Sequence, residues 1–272
     1  MVTFPNAKIN IGLQVLGRRE DGYHNLETVF YPINLCDVLE IVEAKEMRFS
    51  PSGISIPSDG TENLCVRAYR LLQRDYHLPP VHIYLHKVIP IGAGLGGGSS
   101  DAAFLLKLTN AYFGLGIDEN RLMDYARKLG ADCAFFIQNK PALATGIGDI
   151  FQEVTLNLSN YQVVLVKPDI HISTATAYGL VKPNPKGREL AKAIKAPVGT
   201  WREVVVNDFE VGIFDRYPAI AEVKDHLYEQ GAVFVAMSGS GSSVYGLFDK
   251  EVVLGDGLDS SCAVFHLEPF NP

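Results

Sequence analysis

This sequence has little cysteine, no long hydrophobic run and no excess of positive charge. Its four cysteines (Cys36, Cys65, Cys133, Cys262) form no Cys-x-x-Cys pair, so neither a zinc site nor a disulfide framework is indicated. No stretch approaches the roughly 18 apolar residues that span a membrane, and the first residues lack the features of a signal peptide. We therefore expect a protein of the reducing cytoplasm.

The net charge also limits the classes of partner that the protein is expected to bind. Lys and Arg number 24 and Asp and Glu 31, which gives a formal net charge of −7. An acidic balance argues against nucleic acid or an anionic membrane as a partner. We expect small molecules instead, and any phosphate-bearing ligand must be met by local positive charge.

Length and composition fit a globular enzyme with two modest domains. The chain has 272 residues, of which 47% are hydrophobic and 20% charged. A polar segment at 157–159 precedes an apolar strand, so we expect domains at 1–157 and 158–272. Helices are predicted from Thr61 or Glu62 and over 204–214, whereas 250–261 is short and broken by glycine.

A glycine-rich stretch at 90–103 dominates the pattern. It has five glycines within 92–98, follows an alternating strand pattern (Val81, Ile83, Leu85) and precedes a helical one. On that helix the apolar positions Phe104, Leu108, Ala111 and Tyr112 are predicted to share one face, with Leu105 beside it. The order of strand, glycine loop and helix N-terminus favours an anion, because the unpaired N–H groups and helix dipole attract negative charge. Ser99 and Ser100 could cap the helix or bind a phosphate oxygen.

Several loop types compete for this stretch. A Walker loop needs a Lys after its glycines, and none follows here. The dinucleotide pattern is met by Gly92, Gly94 and Gly97, with Asp118 about 20 residues on, as the fingerprint asks. However, Asp118 stands at a predicted helix start, whereas the ribose-binding acid should end a strand. A glycine-rich turn that only packs a helix on a sheet is the remaining alternative.

The pattern Pro-x-x-x-Gly-Leu-Gly-Gly-Gly-Ser-Ser-Asp-Ala-Ala is matched at every fixed position. It resembles the ATP loop of the GHMP kinases, which phosphorylate small molecules. The resemblance implies that ATP is bound by Pro90, Ile91, Gly92, Ala93, Gly94, Leu95, Gly96, Gly97, Gly98, Ser99 and Ser100. A later turn is similar to the third motif of the family, and is expected to pack against the ATP loop through Ser238, Gly239, Ser240 and Gly241.

The start of the chain resembles one branch of that family. Lys8 and Asn10 alternate on a predicted strand, and an Asp-Gly-Tyr-His segment with Tyr23 and His24 follows at a predicted hairpin turn. Members of this branch phosphorylate the 2-hydroxyl of an alcohol carrying cytidine diphosphate, in the non-mevalonate route to isoprenoids. The resemblance implies that the substrate is held by Asn10, Tyr23, His24, Thr174 and Tyr178.

Two residues are expected to carry the chemistry. By local sequence Asp132 is a turn residue, but it lies in a segment similar to the family's Ala-Asp-x-Pro-Phe-Phe, which implies a catalytic Asp that accepts or orients the acceptor proton. Lys8 is expected to lie near Asp132 or to neutralise the transferring phosphoryl group. Mg²⁺ is expected with ATP, and Ser100 is the nearest candidate hydroxyl. Ala134 and Asn6 replace two prolines of the family's pattern.

The resemblance implies an α+β, two-domain GHMP kinase fold. Its N-terminal domain would be like domain 2 of ribosomal protein S5 and its C-terminal domain ferredoxin-like, with the site between them and a monomer or homodimer as the assembly. Other GHMP kinases, of mevalonate or homoserine type, and a non-catalytic ATP-binding homologue are the alternatives; a dinucleotide oxidoreductase is a more distant one. Another GHMP kinase should lack the Asp-Gly-Tyr-His segment, and a silent homologue should lack Lys8 or Asp132.

Overall fold

A computed structural model of the chain describes residues 1–57 and 60–270, and its contacts divide the chain into two compact units. The first unit consists of Met1–Ala7, Leu35–Ile91 and Gly96–Lys140. The second consists of Lys8–Asn34, Gly92–Leu95 and the chain from Pro141 onward. These units follow packing rather than chain order. The division into domains at 1–157 and 158–272 stays a prediction.

The regular elements of the described residues are mixed along the chain. The strands are β1 (Val2–Thr3), β2 (Asn6–Arg18), β3 (His24–Cys36), β4 (Val38–Glu43), β5 (Arg48–Gly53), β6 (Val81–Lys87), β7 (Ala142–Thr145), β8 (Ile150–Glu153), β9 (Gln162–Lys167), β10 (Phe234–Met237), β11 (Val244–Phe248) and β12 (Ala263–Leu267). The helices are α1 (Leu64–Tyr76), α2 (Gly97–Tyr112), α3 (Glu119–Arg127), α4 (Phe135–Gln138), α5 (Thr174–Leu180), α6 (Leu190–Ala193), α7 (Phe209–Arg216) and α8 (Pro218–Glu229). Two 3₁₀ turns cover Ala131–Cys133 and Val198–Glu203.

The first unit is a four-stranded sheet with helices packed together beside it. The strand order is β1-β4-β6-β5, with β4 antiparallel and β5 parallel to β6. Val81, Ile83 and Leu85 of β6 are buried, which confirms the strand predicted from their alternation. Strand β6 leads into the glycine-rich loop, and α2 begins at the end of that loop. The predicted order of strand, loop and helix is therefore confirmed.

Helix α2 is buried on more sides than its pattern suggested. Leu105 and Leu108 are buried as predicted, but Phe104 and Tyr112 are only half-buried and Ala111 is exposed. Because α2 packs against α1, α3 and α4, its inner surface is wide and includes small and polar residues that periodicity does not weigh. The fully buried ones are Ser100, Ala102, Ala103 and Thr109.

Helix α1 begins later than the sequence predicted. Its first residue is Leu64 rather than Thr61 or Glu62, because Asn63 is the N-cap and its side chain accepts a hydrogen bond from the Cys65 N–H at 2.9 Å. The helix ends at Tyr76, where His77 takes a left-handed conformation.

The second unit contains two four-stranded sheets. One has the order β2-β3-β7-β8, and its β2–β3 hairpin turns at the predicted Asp-Gly, where the Arg19 N–H donates to the Tyr23 carbonyl at 2.8 Å. The other has the order β10-β11-β9-β12 with antiparallel neighbours. Helices α7 and α8 contribute Phe209, Ile213 and Leu227 to the core on this second sheet.

The helix predicted over 204–214 is wrong in its first half, since α7 begins at Phe209. The Val206 carbonyl accepts a hydrogen bond from the Leu13 N–H at 2.9 Å, and the Asp208 N–H donates to the Leu13 carbonyl at 2.8 Å. These backbone groups are bonded to β2, so they cannot form the first turns of a helix. Residues 250–261 contain no helix in the structure, as their glycines and length indicated.

No helix among the described residues is long and apolar enough to cross a membrane.

Candidate active site

Lys8 is a buried cation held by oxygen atoms. Its ammonium group donates to the Asn10 side-chain oxygen at 2.5 Å and to the Gly94 carbonyl at 3.1 Å, and it lies 4.7 Å from the centre of the Phe30 ring. Alternate residues of a strand share a face, which is why Lys8 and Asn10 of β2 meet. A buried ammonium group needs such partners. This arrangement fixes its position at the glycine-rich loop.

Asn10 is itself held by hydrogen bonds of its side chain and of its backbone. Its amide donates to the Thr28 hydroxyl at 2.9 Å, and its backbone N–H donates to the Ser238 hydroxyl at 3.2 Å. The Thr28 hydroxyl donates to the Gly12 carbonyl at 2.5 Å. Sequence reasoning missed Thr28, because its partners lie on a neighbouring strand and no motif marks it.

The two glycine-containing loops touch inside the second unit, as expected. The Ser238 hydroxyl donates to the Gly94 carbonyl at 2.8 Å, and the Ser243 N–H points to the Ala93 carbonyl at 3.4 Å. A Cβ atom at Gly94 would lie 1.9 Å from the Ser238 carbonyl oxygen, and one at Gly239 would lie 3.2 Å from the Gly94 Cα. Only residues without a side chain allow this approach. A role of the Ser238–Gly241 turn in holding phosphates stays a prediction.

The N-terminus of α2 is suited to an anion. Its N-cap, Gly96, has no side chain to bond the first-turn N–H groups, whereas α1 and α3 are capped by Asn63 and Asp118. Neither Ser99 nor Ser100 provides a cap. The first-turn N–H groups, which no N-cap side chain bonds, and the helix dipole fit the phosphates of a nucleotide. The residues present therefore fit ATP.

The two serines of this turn differ. Ser99 is half-buried and lies beside Cys133, whereas the Ser100 hydroxyl is fully buried and has no hydrogen-bond partner among the described residues. A metal contact through Ser100 stays a prediction.

Asp132 lies in the 3₁₀ turn Ala131–Cys133, between α3 and α4. It is half-buried, and its neighbour Cys133 is buried against Ser99 of α2. Burial raises the pKa of the Cys133 thiol to about 11, so the thiol is uncharged near neutral pH and contributes packing only. The turn with Asp132 therefore lies beside the first turn of α2. Lys8 belongs to the other unit, and its proximity to Asp132 stays a prediction.

The two replaced prolines leave the local backbone usable. Ala134 has a φ of −66°, which is the angle that a proline ring imposes. The side-chain oxygen of Asn6 accepts a hydrogen bond from the Asn139 amide at 2.8 Å, so a side-chain contact anchors the start of β2. Both substitutions are thus compatible with the expected course of the chain.

The residues expected to hold the acceptor lie partly together. The rings of His24 and Tyr178 are stacked with centroids 4.7 Å apart, and Tyr178 packs edge-on against Phe209 at 5.0 Å. Tyr23 is exposed next to His24, and Thr174 is exposed at the start of α5. His24 and Tyr178 are 154 residues apart in sequence (178 − 24), yet they form one aromatic surface.

His171 is a loop neighbour that sequence reasoning missed. A Cβ atom at Gly92 would lie 2.8 Å from its ring, so the imidazole covers the backbone of the loop at that point. A lone His after a strand gives no sequence signal of such a contact.

Among the residues that the structure describes, no group of three or more His, Cys, Asp or Glu could hold a metal ion.

Asp118 decides against the dinucleotide hypothesis. Its carboxylate accepts a hydrogen bond from the Arg121 N–H at 2.9 Å and caps α3, so it does not end a second strand as a ribose-binding acid would.

Comparison with known proteins gives a consistent result over the whole chain. The family described as GHMP kinases N terminal domain matches residues 63–140, and the one described as GHMP kinases C terminal matches residues 176–254. A Bacteroides fragilis protein named 4-diphosphocytidyl-2-C-methyl-D-erythritol kinase is 54% identical over 255 residues, which cover 92% of this chain and 93% of that protein. A protein of the same name from Cytophaga hutchinsonii is 51% identical over 252 residues, covering 92% and 93%.

Solved structures agree. The crystal structure of a 4-(cytidine 5'-diphospho)-2C-methyl-D-erythritol kinase superposes with a TM-score of 0.81 and 31% identity, covering 100% of both chains. Mevalonate kinase from Methanococcus jannaschii superposes with a TM-score of 0.72 at 13% identity, covering 100% of this chain and 98% of that chain. At 13% identity the second match reports a shared fold alone.

Proposed function

The chain belongs to the GHMP kinases, and we propose that it transfers the γ-phosphoryl group of ATP to the 2-hydroxyl of 4-diphosphocytidyl-2-C-methyl-D-erythritol. The observation that carries this substrate is the 54% identity, over more than nine-tenths of both chains, to a protein named for that activity. The Asp-Gly-Tyr-His segment with Tyr23 and His24 supports the same branch. The expected α+β GHMP kinase fold is confirmed.

In this proposal ATP binds at the glycine-rich loop. The N–H groups at the start of α2 bind its phosphates, and the helix dipole stabilises the negative charge. Phosphoryl transfer requires alignment and cations rather than covalent help from the protein. Mg²⁺ bound with ATP would neutralise charge on the phosphates, and Ser100, with Ser99 beside it, is the proposed protein hydroxyl contact.

Asp132 and Lys8 are the proposed catalytic residues. Asp132 accepts or orients the proton of the acceptor hydroxyl, which directs the attacking oxygen at the γ-phosphorus. Lys8 is fixed by Asn10 and the Gly94 carbonyl, so its charge is already in place when negative charge develops on the transferred group.

His24 and Tyr178 are proposed to bind the cytosine. Their rings are 4.7 Å apart, which leaves no space for a base between them. A base therefore stacks on an outer face of the pair, or the rings separate to about 7 Å, twice the usual stacking distance. Asn10, Tyr23 and Thr174 are proposed to contact the rest of the acceptor.

Replacing Tyr178 by Leu is expected to raise the KM for the acceptor about tenfold, because base–aromatic stacking contributes about 1–3 kcal/mol. The KM for ATP should change little. Steady-state kinetics with each substrate varied in turn measures both. Tyr84→Leu is the control, since Tyr84 likewise stacks on a histidine ring, that of His82, with the ring centroids 3.9 Å apart. An equal rise of the acceptor KM in both variants would contradict the stacking role.

The assay that tests the proposed function mixes the protein with Mg-ATP and 4-diphosphocytidyl-2-C-methyl-D-erythritol and follows ADP release. Mevalonate and homoserine are tested in parallel as acceptors. Turnover with the cytidine compound alone is the expected result. Turnover with mevalonate or homoserine instead would replace the substrate and keep the family. Nucleotide binding without any turnover would favour a non-catalytic homologue.

The remaining expectations are proposals of the same kind. We place the activity in the cytoplasm, with small molecules as its partners and neither nucleic acid nor membrane among them. The assembly is a monomer or a homodimer, and sedimentation or light scattering distinguishes the two.

A further inference from the structure

Three charged side chains, Asp37, Lys87 and Asp101, form a buried cluster at the base of the glycine-rich loop. All three are almost completely excluded from solvent. The Lys87 ammonium group pairs with the Asp37 carboxylate and with Asp101 Oδ2, the latter at 2.7 Å. Asp37 Oδ1 also accepts hydrogen bonds from the Val88 and Ile89 N–H groups at 2.6 and 2.9 Å. The cluster therefore holds the backbone where the chain leaves β6.

The same cluster reaches the other end of the loop. Asp101 lies in the first turns of α2, five residues after the N-cap Gly96 (101 − 96). A Cβ atom at Gly97 would lie 2.9 Å from the Ile89 side chain and 3.3 Å from the Lys87 ammonium nitrogen. Because Gly97 has no side chain, the first turn of α2 packs directly against Ile89 and Lys87, which both bind Asp37.

We propose that Asp37, Lys87 and Asp101 are positioning residues that fix the two ends of the glycine-rich loop relative to each other, and thereby set its affinity for the nucleotide. The inference rests on the proposed function, because it assigns the loop to ATP. None of the three needs to touch ATP. They act through the loop backbone at Val88 and Ile89 and through the first turn of α2.

The charges of the cluster do not balance when both acids are ionised. Two carboxylates face one ammonium group, and Asp37 has two backbone N–H donors whereas Asp101 Oδ1 has no hydrogen-bond partner among the described residues. Burial, opposed by Lys87 and reinforced by Asp37, raises the pKa of the Asp101 carboxyl to about 7. Asp101 is thus the acid that keeps a proton near neutral pH.

Two cysteine thiols near the cluster stay neutral. Cys65 of α1 faces the cluster, and burial raises the pKa of its thiol well above the usual value. Cys133 lies near Cys65, and burial raises the pKa of its thiol to about 11. Between pH 6 and 8.5 the change in cluster charge therefore belongs to Asp101, whose ionisation adds a negative charge under the phosphate-binding turn.

The free energy of unfolding also falls as Asp101 loses its proton. The Asp101 carboxyl has a higher pKa in the folded chain than in the unfolded chain, so the folded state binds the proton more tightly. The stability that this pKa difference contributes to the folded state is present at low pH and is lost as pH rises through about 7. Lys87 stays charged throughout, because Asp101 and Asp37 outweigh burial and raise the pKa of its ammonium group.

The test is the affinity for Mg-ADP, measured by calorimetry without acceptor. Asp101→Ala is expected to weaken it about tenfold, because the end of the loop loses its anchor. Asp101→Asn should stay within about twofold of the parent at pH 6, since the amide keeps the neutral shape of the protonated acid. As pH rises to 8.5, the parent should lose affinity and the Asn variant should not.

Thr109→Val is the matched control, because Thr109 is fully buried on the same helix and its hydroxyl has no hydrogen-bond partner among the described residues. It should leave Mg-ADP affinity and its pH profile unchanged. Equal losses in Thr109→Val and Asp101→Ala, or parallel pH profiles in the parent and Asp101→Asn, would overturn the proposal. If Asp101→Ala does not fold, the pH comparison with Asp101→Asn decides.

The outcomes separate the two proposals. A parent that phosphorylates the cytidine substrate while Asp101→Ala binds Mg-ADP normally overturns the positioning role alone. A parent that binds no nucleotide overturns the proposed function and the positioning role with it.

Discussion

Replacing Asp132 by Asn is expected to lower kcat about a thousandfold, within the range that a positioned general base contributes. Asn has the same shape but cannot accept the proton, and its amide does not orient the hydroxyl in the same way. Because Asp132 is half-buried in a 3₁₀ turn, the isosteric change should leave the fold intact. The KM for ATP should change little, since Asp132 acts on the acceptor. ADP release at saturating substrates measures kcat, and thermal unfolding checks the fold.

Asp124→Asn is the matched control for the loss of an acidic group near the same turn. Asp124 lies on α3, is about half exposed and pairs with Arg127 at 3.0 Å. Exposed pairs of this kind contribute at most about 1 kcal/mol, so kcat should be unaffected. An Asp132→Asn variant with a kcat within about threefold of the parent would remove Asp132 from the proton transfer.

Replacing Gly94 by Ala is expected to destabilise the protein by about 3–5 kcal/mol and to weaken ATP binding. Gly94 has a φ of +77°, and its new Cβ would lie 1.9 Å from the Ser238 carbonyl oxygen. The contact is with backbone, so no side-chain rotation relieves it. The shift would also disturb the Gly94 carbonyl, which accepts hydrogen bonds from Lys8 and Ser238. Denaturant unfolding and Mg-ADP calorimetry measure the two effects.

Substitutions at two other glycines separate the cost of a left-handed alanine from the cost of the steric contact with Ser238. Gly114 has a φ of +60° with open space around its Cβ position, so Gly114→Ala carries only the cost of a left-handed alanine, about 1–2 kcal/mol. Gly98 lies in the first turn of α2 with its nearest neighbour at 3.9 Å, so Gly98→Ala should not lower stability. If Gly94→Ala costs no more than Gly114→Ala, the close approach of the two loops is not tight in solution.

The sequence was informative wherever a local pattern decides the structure. The alternation in β6, the Asp-Gly turn before His24 and the cap at Asp118 were predictable, because each depends on residues within one or two turns of chain. The glycine-rich loop was predictable for the same reason. Helix starts were less so, since the first residue of α1 depends on which of Thr61, Glu62 and Asn63 bonds the first turn.

Helix α7 shows where local pattern fails. Its sequence suits a helix from Val204, yet the Val206 carbonyl and the Asp208 N–H bond to Leu13 on β2. A partner about 190 residues away in sequence takes the backbone groups that the helix would need. Long-range pairing of this kind has no signature in a sequence window.

The family, the course of most elements and the chemical types of the candidate residues could be inferred from the sequence: a Lys, an Asp, a glycine loop and several aromatic side chains. The contacts among these residues became known from the fold. Lys8 and Gly94 meet across 86 residues, and Gly94 and Ser238 across 144. Asp37 and Lys87 join across 50, next to Asp101. A buried charge or a closely packed backbone needs partners from distant segments, and these segments come together only when the chain folds.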